Sequence, residues 1–270
     1  MPRYVRCVAN PWNELAVLVT GATGGLGEPL CEALAVAGAN VVVHGRGQAR
    51  VDALAARLPR ARGVVADLAS LEETRVLASS VGPIDVLINN AGVGFGADRT
   101  KREVSHDGHE LRMAVNYLAP FVLTTELLRL ATRGHPRAIV NVASGGQLAL
   151  DFEDLMSERA YDGVDAYRHS KLALIMFTFD QARLGAVPIV ALHPGTFLDT
   201  AMVRDAGITP QGTAQQGADA IKLVAERALA GETGTYFNQK SPARADAQAY
   251  DEAARRTLRE RTLDLIRASA

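Results

Sequence analysis

Cysteine, aromatic residues and net charge are all scarce in this 270-residue chain, and each scarcity excludes something. Two cysteines, Cys7 and Cys31, cannot build a disulfide framework. Cys31 falls in a helical pattern where a buried free thiol is the ordinary arrangement, so a reducing, cytoplasmic setting is expected. Twenty-nine Lys and Arg stand against 30 Asp and Glu, and they are scattered. That lacks the basic footprint of a nucleic-acid binder, and no nucleic-acid partner is expected. No stretch reaches the roughly 18 uninterrupted apolar residues of a membrane helix. Residues 1–14, broken by Pro2, Asn10, Pro11, Trp12 and Asn13, have no apolar centre of a signal peptide, so no membrane anchor is expected. His106 and His109 lie three apart beside Asp107 and Glu110, but a third defined ligand is missing; the cluster reads as a solvated helix entry and no metal is expected.

What the chain does have is an alternation of short β-branched runs with longer helical patterns. Leu15 to Thr20, Val41 to His44, Val64-Val65, Ile84 to Asn89, Ala138 to Val142 and Pro188 to Leu192 read as buried parallel strands. The first helix begins after Gly27 with Pro29 in its opening turn, buries Leu30, Leu34 and Ala37, and stops at Gly38. Right-handed β-α-β units make a doubly wound parallel sheet of about seven strands, with helices on both faces, of the Rossmann-like α/β class. With 48% hydrophobic residues the chain suffices for one domain. Residues 1–14 are expected to form an N-terminal extension and 15–270 a single catalytic domain. Phe197 to Gly217, the least regular stretch, is expected to be a loop over the substrate, and Ala249 to Arg267 a surface helix.

The motifs sit at the ends of these elements. Gly21, Gly25 and Gly27 follow the first strand and open the first helix, so the backbone can turn tightly against a pyrophosphate at a helix N-terminus. Val43-His44-Gly45-Arg46 ends the second strand without a carboxylate, and the planar donor fork of Arg46 suits the 2′-phosphate of NADP(H) rather than the free ribose of NAD. Tyr167 and Lys171, four apart on a helix, share one face, where an ammonium can favour a phenolate. Asn89-Asn-Ala-Gly92, Asn116 and Ser144 precede them in that order.

This constellation resembles the short-chain dehydrogenase/reductase family over nearly the whole chain. The resemblance implies a dinucleotide turn formed by Gly21, Thr23, Gly24, Gly25, Leu26 and Gly27. It places Asp67 and Leu68 against the adenine, and Asn90, Ala91 and Gly92 on the adenosine side. Tyr167 exchanges the substrate proton, Lys171 holds the nicotinamide ribose, Ser144 donates to the developing alkoxide, and Asn116 supports a water relay, with Tyr167, Lys171 and Asn116 also counted among the cofactor contacts. Pro194, Gly195 and Thr196 lie near the carboxamide. The family's next threonine is displaced to Thr200, which leaves its contact open.

Ser144 and Tyr167 are 23 positions apart, about ten more than in many members, so an insert is expected to line the substrate entrance. With Asp107-Gly108, Val115-Asn116-Tyr117, Ser170-Lys171-Leu172-Ala173 and Gly234-Thr235-Tyr236-Phe237, the chain resembles the retinol-dehydrogenase and protochlorophyllide-reductase branch. That implies a bulky apolar carbonyl or alcohol substrate, with Phe95, Leu148, Phe152, Leu155, Tyr161, Phe197 and Met202 as candidate pocket residues. The apolar run Leu172 to Phe179 is buried either under the sheet or in a homodimer or homotetramer. An NADP(H)-dependent oxidoreductase is the leading expectation; an epimerase or dehydratase on the same site and a dinucleotide-sensing regulator are the alternatives.

Overall fold

The computed structural model describes residues 10–131 and 136–269; the expectation for Cys7 lies outside the described residues. Eight strands among them form one sheet: β1 (Ala16–Val19), β2 (Asn40–Gly45), β3 (Arg62–Val65), β4 (Val86–Asn89), β5 (Ala138–Val142), β6 (Ile189–His193), β7 (Tyr236–Asn238) and β8 (Ser241–Ala243). Their order is β3-β2-β1-β4-β5-β6-β7-β8. All neighbours are parallel except β7 and β8. The chain runs outward from β1 to β3 and returns to place β4 on the other side of β1, which opens a crevice at the carboxyl ends where the order reverses.

The helices are α1 (Gly27–Val36), α2 (Gln48–Arg57), α3 (Leu71–Ser80), α4 (Leu111–Met113), α5 (Ala119–Leu130), α6 (Gly163–Leu184), α7 (Ala201–Asp205), α8 (Ala214–Leu229) and α9 (Glu252–Ala268). Alternate side chains of the central strands feed two cores. Leu18, Leu87 and Ile139 pack with residues of α3, α5 and α6. Val17, Val19, Val86, Ile88 and Val140 pack with residues of α1, α2 and α8 on the other face. Both cores depend on strands buried on two sides, which is why these strands are almost entirely Val, Leu and Ile.

Local signals fix the two helices that matter for the site. In α1, Leu30 and Leu34 are fully buried, and the helix gives way to Gly38 at φ +95. In α6, the Asp162 carboxylate accepts the Val164 and Asp165 N–H groups at the start, and Gly185 at φ 68 ends the helix.

Several expectations change. The sheet has an eighth strand, a three-residue antiparallel hairpin partner too short for a hydrophobic pattern. β3 is an edge strand, so Val65 is half-exposed rather than buried. The 197–217 stretch holds α7, and Thr213 caps α8 with a reciprocal Gln216 contact. Trp12, placed in the extension, is fully buried between α1 and α8 residues, its indole N–H donating to Glu226 at 2.6 Å. α9 is only half a surface helix: Leu258 and Thr262 are buried, and Thr262 is hydrogen-bonded to the Tyr117 hydroxyl at 2.6 Å. The run Leu172 to Phe177 is covered within the chain itself, and Phe179 packs on Tyr250 with ring centroids 5.3 Å apart. Core burial accounts for that run.

Candidate active site

The turn from β1 to α1 is built from backbone. Gly21 and Gly25 adopt φ values of 62 and 55, where side chains are strained. A Cβ on Gly21 would stand 2.7 Å from Ala91 Cα, and one on Gly27 2.3 Å from the Gly21 carbonyl oxygen, whereas one on Gly24 would meet nothing within 4 Å. Thus Gly21 and Gly27 close the turn on itself and Gly24 faces open space. No side chain caps α1; its Gly27 N–H donates to the Gly24 carbonyl at 3.0 Å, and the positive end of the helix faces the turn.

Polar side chains brace this turn. The Thr20 hydroxyl accepts the Asn90 and Ala91 N–H groups at 3.0 Å each, and Asn90 Nδ2 donates to the Thr20 carbonyl at 2.9 Å. Buried His44 accepts the Gly21 N–H at Nδ1, 3.2 Å, and donates from Nε2 to the Ala66 carbonyl, 3.2 Å. Burial pushes this imidazole down to about 4, which keeps it neutral and Nδ1 free to accept near neutral pH.

The chemical groups meet at the ends of β4, β5 and α6. Asn116 lies in a π-helical turn, Ala114–Leu118, at the join of α4 and α5. Its Oδ1 accepts the Val93 N–H at 2.8 Å, and its Nδ2 donates to the Val93 carbonyl at 3.1 Å and to Ser170 Oγ at 3.0 Å. Such single-turn π segments recur at functional sites because they turn one side chain out of helical register. Ser144 follows β5, and its Oγ accepts the Gly146 N–H at 3.0 Å. Tyr236 donates to the Ser144 carbonyl at 2.9 Å, which holds the end of β5. Phe95 packs edge-on against the Tyr167 ring, centroids 5.1 Å apart.

Lys171 is almost fully buried, with Nζ donating to the Val142 carbonyl at 2.9 Å and lying 5.7 Å from the Tyr167 ring centroid. Desolvation lowers the ammonium to about 8. The spacing argument expected a phenol shifted down by this charge. Instead the Tyr167 pKa is raised, because burial outweighs the Ser144 hydrogen bond that pulls it the other way.

Ser144, Tyr167 and Lys171 line one cleft with the glycine turn, of about 840 Å³. The model of the short chain dehydrogenase family matches residues 15–210. The chain belongs to that family. It is 32% identical to human retinol dehydrogenase 13, over 90% of this chain and 81% of that protein. It is 37% identical to mouse retinol dehydrogenase 13 over 66% of this chain, and spans 57% of that protein's length. The crystal structure of a short chain dehydrogenase from Burkholderia cenocepacia in complex with NADP is similar at a TM-score of 0.65 and 25% identity, covering 86% of this chain and 98% of the other. The family's enzymes are oxidoreductases, and this chain is one of them.

Of the residues expected in this short-chain dehydrogenase's site, Gly21, Thr23, Gly24, Gly25, Leu26, Arg46, Asp67, Leu68, Asn90, Ala91, Gly92, Ser144, Tyr167, Lys171, Pro194, Gly195 and Thr196 line the cleft. Gly27 and Asn116 do not. Gly27 is packed under the turn, and Asn116 lies fully buried behind Gly92, where a Cβ would come 3.2 Å from Asn116 Oδ1 and 3.4 Å from Lys171 Nζ. Asn116 therefore stands behind the cleft wall, against the expectation of a direct cofactor contact. Thr200 lines the cleft above Gly25, its hydroxyl accepting the Val203 N–H as the cap of α7.

The insert does not line the entrance as expected. Beyond Gly145 and Gly146 it folds away: Leu150 exchanges two hydrogen bonds with Gln248, and Tyr161 donates to Glu110 at 3.2 Å. Phe95, Phe197 and Met202 are on the cleft wall, whereas Leu148, Phe152, Leu155 and Tyr161 are not. His106 and His109 part company, His106 toward Asp67 and the buried His109 toward Ser269 Oγ at 2.9 Å. Among the described residues no three His, Cys, Asp or Glu side chains are grouped to hold a metal, and no helix is long and apolar enough to cross a membrane. Arg50 and Arg168, both on the cleft wall, were missed. A second arginine four positions after Arg46, at the start of α2, was the available signal for the first.

Proposed function

We propose that the chain is an NADP(H)-dependent ketoreductase or alcohol dehydrogenase acting on a carbonyl or secondary alcohol with an apolar body. The observation that carries this reading is the meeting of Ser144, Tyr167 and Lys171 in one cleft with the glycine turn. The turn fits a dinucleotide: Gly24 leaves its approach open, and α1 brings the positive end of its dipole beside it with no side-chain cap. Arg46 and Arg50, on the wall past the end of β2, are the donors for a 2′-phosphate, and the one carboxylate on the wall, Asp67, follows β3 instead.

The bound dinucleotide supplies or accepts the hydride at nicotinamide C4. Tyr167 gives the proton to the substrate oxygen in reduction and takes it back in oxidation, while Ser144 donates to the same oxygen as charge develops there. Lys171 holds the ribose hydroxyls and offsets the phenolate charge against the burial that opposes it. Asn116 positions Lys171 from behind through Gly92 and Ser170. Phe95, Val115, Phe197, Met202 and Ile208 line the apolar wall.

Residues 15–270 work in this proposal as one catalytic domain, with 197–217 as its substrate loop. Cytoplasmic residence and a homodimer or homotetramer rest on the cysteine content and on family habit; the apolar run of α6 supplies no argument for assembly. The test is NADPH consumption with ketones and aldehydes of graded size. Oxidation of NADPH by bulky apolar members, much weaker with NADH, is expected. Turnover confined to NADH, or none with any carbonyl, contradicts the proposal.

A further inference from the structure

The ionised side chains on the cleft wall are Arg46, Arg50, Asp67, Arg168 and Lys171. Arg46, Arg50 and Asp67 cluster where β2 and β3 end, and Lys171 belongs to the chemistry. Arg168 is left over. It follows Tyr167 on α6, and a Cβ on Gly146 would lie 3.7 Å from its Cγ, so its stem runs beside the glycine pair that follows Ser144. Val164, one turn earlier, shares the wall, and the same cleft is lined by the apolar Phe95, Val115, Phe197, Met202 and Ile208.

The recorded partner of Arg168 among the described residues is Asp165, at 3.3 Å, with side chains 39% and 49% exposed. An exposed pair three residues apart on a helix is weak and screened. It engages one nitrogen of a guanidinium that carries five N–H donors in a planar fork matched to a carboxylate. A cation on the cleft wall, next in sequence to Tyr167 and beside the glycine pair after Ser144, in a cleft that also carries apolar side chains, has the arrangement of an end-group anchor.

We propose that Arg168 binds a carboxylate on the substrate, so that the preferred carbonyl compounds have an apolar body and an anionic end. This rests on the carbonyl-reductase reading of the same cleft and adds the substrate class. Asp165 cancels part of the charge, so the preference for an acid over its neutral ester sits at the lower end of a charge-assisted hydrogen bond, about tenfold.

The test compares 4-acetylbenzoate with methyl 4-acetylbenzoate, by calorimetric titration into the NADP⁺-saturated protein and as substrates with NADPH. The wild type is expected to bind the acid about tenfold more tightly and to show a matching ratio of kcat/KM. Arg168→Met should bring the acid-to-ester ratio to about one, and Asp165→Asn should raise it above the wild-type value. A wild-type ratio of one or less, binding of neither compound, or a ratio that survives Arg168→Met overturns the proposal. Tight, Arg168-dependent binding of the acid without NADPH oxidation would uphold Arg168 as the anchor and reject carbonyl reduction for this pair.

Discussion

The two halves of the cleft are made of different material. The dinucleotide half is backbone: Gly21, Gly25 and Gly27, stitched by Thr20, Asn90 and neutral His44, all from short segments around β1, β2 and β4. The substrate half is side chain: Phe95, Val115, Phe197, Met202 and Ile208 arrive from segments that the fold, not the sequence, brings together. A turn that needs positive φ, and where a Cβ would meet backbone atoms at 2.3 to 2.7 Å, tolerates only glycine, so its spacing is written in the chain. An apolar wall accepts many residues and leaves no spacing behind.

The sharpest way to break this comparison is Gly27→Val. Its Cβ would stand 2.3 Å from the Gly21 carbonyl oxygen, a backbone atom that cannot swing away. We expect dinucleotide affinity to fall below detection and stability to drop by about 3 kcal/mol, as overpacking against backbone does. Titration of NADPH and a denaturant midpoint measure both; near wild-type affinity would mean that the turn is not the cradle.

Lys171 tests the opposite property, a chemical group that costs stability. Its folded pKa of about 8 lies below the ordinary 10.5. Between those values the unfolded chain holds more protons, so stability due to this group rises with pH across the window and is lowest below about 8. The stability of the wild type relative to Lys171→Met should therefore increase by roughly 2 to 3 kcal/mol from pH 7 to pH 10. Parallel urea-unfolding profiles would contradict the buried ammonium. Next in size, Arg46→Ala should weaken NADPH about ten- to a hundredfold and leave NADH nearly unchanged. Raising ionic strength should erode the wild-type preference, since Arg46 is exposed. Equal losses for both dinucleotides would make Arg46 a loop support.

Legibility in the sequence follows the same division. Six of the seven parallel strands, α1, and the joint appearance of Ser144, Tyr167 and Lys171 were readable, because two-sided burial, capping glycine and four-residue spacing are local signals. β8 and the exposed edge position of β3 were not, since each depends on which neighbour the strand meets. The insert between Ser144 and Tyr167 misled for the same reason: Leu148, Phe152, Leu155 and Tyr161 are apolar enough for a pocket, but Phe152 and Leu155 pack on the core, and the Gln248 and Glu110 contacts hold the segment away from the cleft. Spacing placed the Tyr167 phenol beside Lys171 but could not weigh the burial that raises its pKa.

In the proposed mechanism Tyr167 carries the transferable proton in a cleft that binds the dinucleotide independently of it. Tyr167→Phe keeps the ring that Phe95 packs against and removes only the hydroxyl. Measured side by side, its NADPH dissociation constant should stay within about twofold of wild type while kcat falls at least about a hundredfold. A variant that keeps more than about a tenth of the wild-type rate, with the same NADPH affinity, would contradict the account.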